Sequence, residues 1–414
     1  MLGAESLEKG KGFKNGLTDF MSQVSSSSIS AGVVAGIFSF SAGLVYIGSA
    51  NEAGIDPEVI KSWVTSVYVI SGIFGILYPM YFRKPINFSN SIPGAAVFTA
   101  MSLNFTIEEL MAGGLISGLI LVILGLSGKV KKIMEYIPVP IVMGMISGAF
   151  LKFGINMAAP LATVPAAVIL MIAAYFICSK MLPKIPGVLA AILVGVVYLI
   201  VTGVEFPVMD IQFRLPTFIV PDIFSSSILS VILTYSIPLT VLVIGAENAQ
   251  AYGVLVSEKY DPQLNSMTFW SGIGGMLSSF FVLHNSNIAG PMTAICASPD
   301  TGKWESRWTG SVVQAIVVIA GGFFYASIVT FFQELPSYFL NIIVGLAILK
   351  VFISSFEGAF RDHKYIFSTI ITFLVGASGI KILGITAPFW ALVFGTSVYL
   401  FFERKPNETS AEAK

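Results

Sequence analysis

Apolar runs of 18 or more residues recur along this chain from Ile29 to Phe402, and each is long enough to cross a hydrocarbon layer about 30 Å thick. No water inside such a layer can satisfy a backbone amide, so each run must close its own hydrogen bonds as a helix. Of 414 residues, 55% are hydrophobic and only 11% charged, which is more apolar and less charged than a soluble domain. The expected class is an all-α polytopic membrane protein. A formal net charge of zero gives no basis for a nucleic-acid partner. Cys178 and Cys296 both fall within apolar runs and are read as small packing residues, not a disulfide. No charged leader with a cleavage site precedes the first run, so no cleaved signal peptide is expected.

Two stretches break the helical rule. Phe281 to Ser298 reads F-V-L-H-N-S-N-I-A-G-P-M-T-A-I-C-A-S: its first half alternates like a strand, and Gly290-Pro291 then arrives where a helix would begin. Ile86 to Ala100, I-N-F-S-N-S-I-P-G-A-A-V-F-T-A, has the same layout roughly 200 residues earlier. Other echoes keep nearly that offset: Asn51 with Asn248, Ala50 with Glu247, Pro138 with Pro336, Lys152 with Lys350, Gly195 with Gly395 and Tyr198 with Tyr399. The chain therefore reads as two repeats of seven spans, with spans 3 and 10 broken into a short strand and a half-helix. An odd count turns the second repeat upside down, which is the inverted-repeat layout of secondary transporters.

On this reading residues 1–28 are a polar N-terminal segment in which F-K-N-G-L-T-D-F-M from Phe13 forms an interfacial helix. Spans 1 to 4 occupy 29–127, spans 5 to 7 occupy 128–204, and 205–227 is an external connector. Spans 8 to 11 occupy 228–332, spans 12 to 14 occupy 333–403, and 404–414 is a tail. Basic residues test the count. With a cytoplasmic N-terminus, Lys9, Lys11, Lys14, Arg83, Lys84, Lys129, Lys131, Lys132, Lys180, Lys184, Lys259, Lys303, Arg307, Arg361, Lys364, Arg404, Lys405 and Lys414 fall inside. Only Lys61, Arg214 and Lys381 fall outside. That asymmetry points to fourteen crossings with both termini cytoplasmic in the cell membrane.

Broken backbone is tolerated at membrane depth only where it lines a cavity or packs in protein, so the two breaks should face each other. The free N–H groups after Ile92-Pro93-Gly94 and after Ala289-Gly290-Pro291 then offer positive dipole ends to an anionic or carbonyl-bearing solute. Asn87, Ser89, Asn90 and Ser91 on one side, with Asn285, Ser286 and Asn287 on the other, can pair the strand edges or reach the solute. Glu247 is the one carboxylate well inside a span, where an ionised acid costs at least about 3 kcal/mol and is protonated, paired or functional; it is the proton-coupling candidate. Asn248 is expected to make an interhelical hydrogen bond. His284 has no second ligand beside it, so it is no metal site and is read as a hydrogen-bonding support. Phe38, Phe40 and Tyr46 are candidates for the cavity wall. Lys152 and Lys350 lie near span ends, where long side chains snorkel to the interface. No phosphate-binding loop, zinc-protease pair or Ser-His dyad is present. The chain is read as no enzyme, without metal or cofactor.

S-I-P-G-A-A (Ser91 to Ala96), E-N-A (Glu247 to Ala249), M-T-A-I-C-A-S-P (Met292 to Pro299) with W-E-S-R-W following, and A-S-G-I-K-I-L-G-I-T-A-P-F-W (Ala377 to Trp390) resemble the benzoate/proton symporters of bacteria, the BenE family. That family is related in fold to the uracil permease and sulfate transporter groups. The likeness runs from span 1 to span 14. It implies a core domain of spans 1 to 4 and 8 to 11 and a gate domain of spans 5 to 7 and 12 to 14. Substrate would sit between the tips of spans 3 and 10 beside span 8, which marks Ser91, Gly94, Ile288, Ala289 and Glu247 as site positions; Asn90, Ile92, Asn287 and Gly290, beside them in the breaks, complete the expected substrate site. The expected function is proton-coupled symport of a small aromatic carboxylate such as benzoate. A nucleobase-type symporter and a passive channel for small anions stand as alternatives on the same fold. Expected partners are the solute, protons and the lipid bilayer, with a homodimer as one assembly open to such a chain.

Overall fold

The computed structural model describes residues 7–130, 132, 138–182, 187–206, 211–382 and 385–404. Lys131, Lys184, Lys405 and Lys414 lie outside them, as do the side chains of Lys350 and Lys381. A short helix α1 (Gly16–Gln23) precedes α2 (Ser26–Glu52) and α3 (Pro57–Phe82). Strand β1 (Phe88–Ser89) feeds α4 (Ile92–Met101), then follow α5 (Ile107–Ser127), α6 (Val139–Ala158), α7 (Pro165–Met181) and α8 (Gly187–Val201). The second half opens with α9 (Ile228–Val256), a long helix interrupted by π turns at Ile232–Ser236 and Val243–Asn248. After α10 (Leu264–Ser278), strand β2 (Asn287–Ile288) feeds α11 (Gly290–Ala297). The last helices are α12 (Trp308–Gly322), α13 (Tyr325–Gln333), α14 (Ser337–Phe360), α15 (Ile366–Ser378) and α16 (Ala387–Val398).

Among the described residues, α2, α3, α5, α6 with its 3-10 extension, and α9 are each long and apolar enough to cross a membrane alone. Where one uninterrupted span from Trp308 to Phe332 is expected, the chain instead bends by 56° between α12 and α13. The cause is the pair Gly321-Gly322: a Cβ on Gly321 would lie 2.2 Å from the Phe40 ring, and one on Gly322 would lie 2.6 Å from Tyr68. The Phe40 ring and the Tyr68 Cβ thus occupy the place of the helix's own side chains. The connector from 211 to 222 has no helix or strand. It is held by backbone bonds from Arg214 N–H to Phe323 O and from Ile219 N–H to Phe280 O. Cys178 and Cys296 are both free and buried.

Helix packing brings the two halves together: α3 and α2 lie against α12, α5 against α10, α6 against α14 and α15, and α15 against α16. Small residues set the closest of these contacts, as expected where packing has no hydrophobic drive from water. At the α5/α10 crossing, a Cβ on Gly118 would meet Met276 N at 2.6 Å and Gly272 O at 2.7 Å. Those are backbone atoms that no side-chain rotation can move. Gly118→Ala should therefore force the helices apart and lower stability by about 1–3 kcal/mol. Thermal unfolding of the purified protein checks this, and an unchanged midpoint would contradict it.

β1 and β2 form an antiparallel pair, Phe88 opposite Ile288 and Ser89 opposite Asn287, extended by a bond from Ala289 N–H to Asn87 O at 2.9 Å. The helices that continue them contain 10 and 8 residues, about 15 Å and 12 Å long, roughly half a hydrocarbon layer. Chain entry into the second break goes through Val282, a β-branched residue in the left-handed region at φ 47°.

Candidate functional site

The short ladder fixes where α4 and α11 begin. Ser91 is the N-cap of α4, and its hydroxyl accepts from Gly94 N–H at 3.0 Å, as small polar residues do at helix starts. Ala289, the N-cap of α11, has no side chain able to do this. Glu247, in the second π turn of α9, is buried and within hydrogen-bonding reach of the Gly290 N–H and the Ser91 hydroxyl. One carboxylate therefore lies near the starts of both half-helices, on a turn that packs against β2, where the dipoles favour negative charge. A Cβ on Gly290 would meet Gln250 at 2.5 Å, so glycine there lets α9 and α11 close on each other.

Around this contact the polar side chains of the breaks form two layers. Asn285 Oδ1 accepts from Ser91 N–H at 3.2 Å, and Asn90 Oδ1 accepts from the Tyr46 hydroxyl. Both amides are thus oriented by donors, which leaves their Nδ2 groups buried without a hydrogen bond among the described residues. Buried donors of that kind call for an explanation. Asn287, also buried, turns Nδ2 onto Ile288 O at 2.7 Å. On the other side of the ladder Asn87 is fully bonded: Nδ2 donates to Gln314 Oε1 at 3.1 Å, and Oδ1 accepts from the Ser311 hydroxyl at 2.8 Å.

His284 stands between Trp63 and α4. Trp63 Nε1–H donates to Nδ1 at 2.9 Å, and Nε2 lies 2.9 Å from Ser91 O. An indole can only donate and a carbonyl can only accept, so these partners assign a neutral ring with its proton on Nε2. Tyr46, Trp63 and Phe98 pack around it, with Tyr46 stacked on Trp63 at 5.4 Å and Phe98 4.7 Å from Trp63. Asn248 bridges α9 to α10, donating to Thr268 Oγ1 at 3.2 Å and accepting from Ser271 Oγ at 3.3 Å, and Ser271 Oγ in turn accepts from Ile288 N–H at 3.4 Å.

Asn90, Ser91, Ile92 and Gly94 thus meet Asn287, Ile288, Ala289 and Gly290 in one junction with Glu247. Phe40 lies elsewhere. It packs on Tyr68 and Tyr325 and helps line an apolar cavity of about 240 Å³ with Ile37, Leu44, Val188, Ile192 and Ile328. Phe38 is half-buried on the same helix. Trp63, Gln250 and Ser271 carry no sequence signal of their own, since an aromatic or small polar residue within a span is ordinarily packing. No group of three or more His, Cys, Asp or Glu that could hold a metal occurs among the described residues.

Among solved structures, the transmembrane domain of a cyanobacterium bicarbonate transporter, BicA, matches with a TM-score of 0.62 and 16% identity, covering 89% of this chain and 99% of that one. SLC26A9 matches at 0.61 and 14%, covering 90% of this chain and 64% of that one. At such identities the likeness is one of fold. Inner membrane protein YdcO of Escherichia coli (strain K12) is 26% identical over 358 residues, 85% of this chain and 89% of that protein. The benzoate membrane transport protein of Acinetobacter baylyi (strain ATCC 33305 / BD413 / ADP1) is 25% identical over 380 residues, 91% of this chain and 95% of that protein. The sequence profile of the BenE family, "Benzoate membrane transport protein", matches residues 22–401. A helical membrane transporter and not an enzyme, the chain belongs to the BenE family.

Proposed function

We propose that this protein is a proton-coupled symporter of the cell membrane for a small aromatic carboxylate such as benzoate. The observation that carries the reading is buried Glu247 placed near both half-helix starts, on a turn packed against β2 and one turn from Gln250, which meets Gly290. The charge of Glu247 occupies the place where a carboxylate solute would bind, so solute and ionised Glu247 compete for the same dipole ends. Protonation of Glu247 removes the competitor. A proton and an anion then load together, which is symport by charge exclusion. The unpaired Nδ2 groups of Asn90 and Asn285 supply donors of the right sign for the incoming anion. The aromatic group of Tyr46, Trp63 and Phe98 supports a ring-bearing solute, and so does the Acinetobacter relative.

In this reading the chain crosses the membrane fourteen times as two inverted repeats with cytoplasmic termini. A core of spans 1 to 4 and 8 to 11 carries the solute past a gate of spans 5 to 7 and 12 to 14. The pairing of α2, α3 and α5 with α12 and α10, against that of α6 with α14 and α15, supports the division. The test is uptake of labelled benzoate into proteoliposomes under an inward acid pH gradient. Accumulation that saturates, follows the gradient and resists competition by uracil is expected. Flux indifferent to the gradient removes coupling, displacement by uracil favours a nucleobase permease, and unsaturable flux favours a channel.

A further inference from the structure

Residues 7–23 are fastened along one face to the helices that carry the site. Glu8 caps the start of α10, accepting from Ser266 N–H at 2.9 Å, Ser266 Oγ at 2.8 Å and Asn265 Nδ2 at 3.2 Å. Arg83, at the end of α3, grips Asp19 through Nε at 3.0 Å and Nη2 at 2.8 Å, and reaches Gly12 O at 3.2 Å. Trp308, first residue of α12, donates to Gln23 Oε1 at 2.9 Å. Arg83 sits in the left-handed region at φ 54° and its guanidinium lies 5.1 Å above the Trp308 ring. One segment therefore ties together three helices, all at the same end of the molecule.

The other face of the segment is uncovered in a patterned way. Leu17 and Met21, one turn apart on α1, are 67% and 69% exposed and share one face, and Phe13, just ahead of α1 with its ring against Tyr81, is 49% exposed. Lys9, Lys11 and Lys14 are exposed beside them. Asn15, Thr18 and Ser22, also exposed, form a separate polar strip. An apolar stripe rimmed by lysines is the pattern of a helix lying in a membrane interface, and a polybasic rim selects anionic headgroups.

We propose that residues 7–23 are a lipid-binding strap: Phe13, Leu17 and Met21 enter the headgroup boundary at this end of α3, while Lys9, Lys11 and Lys14 hold anionic phospholipid. Charge complementarity commits the face to a lipid surface and not to another protein. Because the opposite face is bonded to α3, α10 and α12, lipid engagement bears on helices whose Trp63, Ser271 and Ser311 hold the two breaks.

The full chain supports a direct test, since Cys178 and Cys296 are both buried and an introduced cysteine is the reactive one. An environment-sensitive fluorophore is placed at Leu17→Cys or at Thr18→Cys, with the unsubstituted chain labelled in parallel as background. Each is reconstituted in nanodiscs of phosphatidylcholine alone or with phosphatidylglycerol. Expected are blue-shifted emission and quenching by brominated lipid at Leu17→Cys in the anionic discs, with water-like emission at Thr18→Cys. Replacing Lys9, Lys11 and Lys14 by Gln should weaken the phosphatidylglycerol dependence by about fivefold per lysine. Water-like emission at Leu17→Cys in anionic discs overturns the proposal. So does an unaltered lipid dependence in the triple-lysine variant. A blue shift in detergent that grows with protein concentration overturns it in favour of a second copy of the chain.

Discussion

Glu247→Gln is expected to collapse benzoate accumulation driven by an acid gradient while solute exchange across the membrane continues. Glutamine keeps the shape and a hydrogen-bonding oxygen, but it carries no charge at any pH, so it imitates the protonated acid permanently. The half-helix starts at Ser91 and Gly290 then stay open to the anion whether or not a proton has arrived. Binding and exchange need only that opening. Accumulation needs proton and anion to favour each other, a coupling of typically 1–3 kcal/mol, or about 5-fold to 150-fold in affinity, and the substitution removes it. Gradient-driven uptake should fall by about tenfold or more, against a smaller change in exchange between labelled and unlabelled solute. Equal loss of both would mean that Glu247 is a structural cap for α11, and unchanged uptake would remove it from the mechanism.

His284→Phe should show the reverse. Phenylalanine fills the space but breaks both ring bonds, stranding the buried Trp63 Nε1–H, held at 2.9 Å by the imidazole, while Ser91 O keeps the Ala95 N–H at 2.9 Å. A buried polar group left unpaired costs about 1–3 kcal/mol. The stranded indole should lower stability by about 1–3 kcal/mol, read as an earlier unfolding transition in detergent. The surviving protein should still respond to the pH gradient, because a ring whose two nitrogens are committed to an indole donor and a carbonyl acceptor has no position from which to relay a proton. A variant that folds normally but loses gradient dependence would instead make His284 the carrier. Measured side by side, the two substitutions separate the group that moves charge from the group that holds the junction in shape.

Much of the junction could be read before any coordinates. A proline or glycine pair within an apolar run, preceded by alternating Asn and Ser, says that the helix starts late, and its repetition at Ile86 and Phe281 says that the two late starts are related. Glu247 was legible because carboxylates are expensive at depth. The bend between α12 and α13 was not, because Gly321-Gly322 looks like any small-residue pair until Phe40 and Tyr68 are found filling the space beside it. Nor were the π turns of α9: V-I-G-A-E-N has no propensity that separates a π turn from an α-helix. Phe40 was drawn towards the solute by its chemistry alone, and packing assigned it to the Tyr68 and Tyr325 cluster.

The ladder between Phe88-Ser89 and Asn287-Ile288 also bears on how the protein is made. Its strands come from opposite halves of the chain, so the first break enters the bilayer long before the segment that pairs with it has been synthesised. Until then the edge around Asn87 and Ser89 has no partner strand, and lipid offers none. Chains fold from the N-terminus as they emerge, and contacts so distant in sequence close late. The junction is therefore among the last regions to assemble, and a truncated or stalled chain is left with an open strand edge.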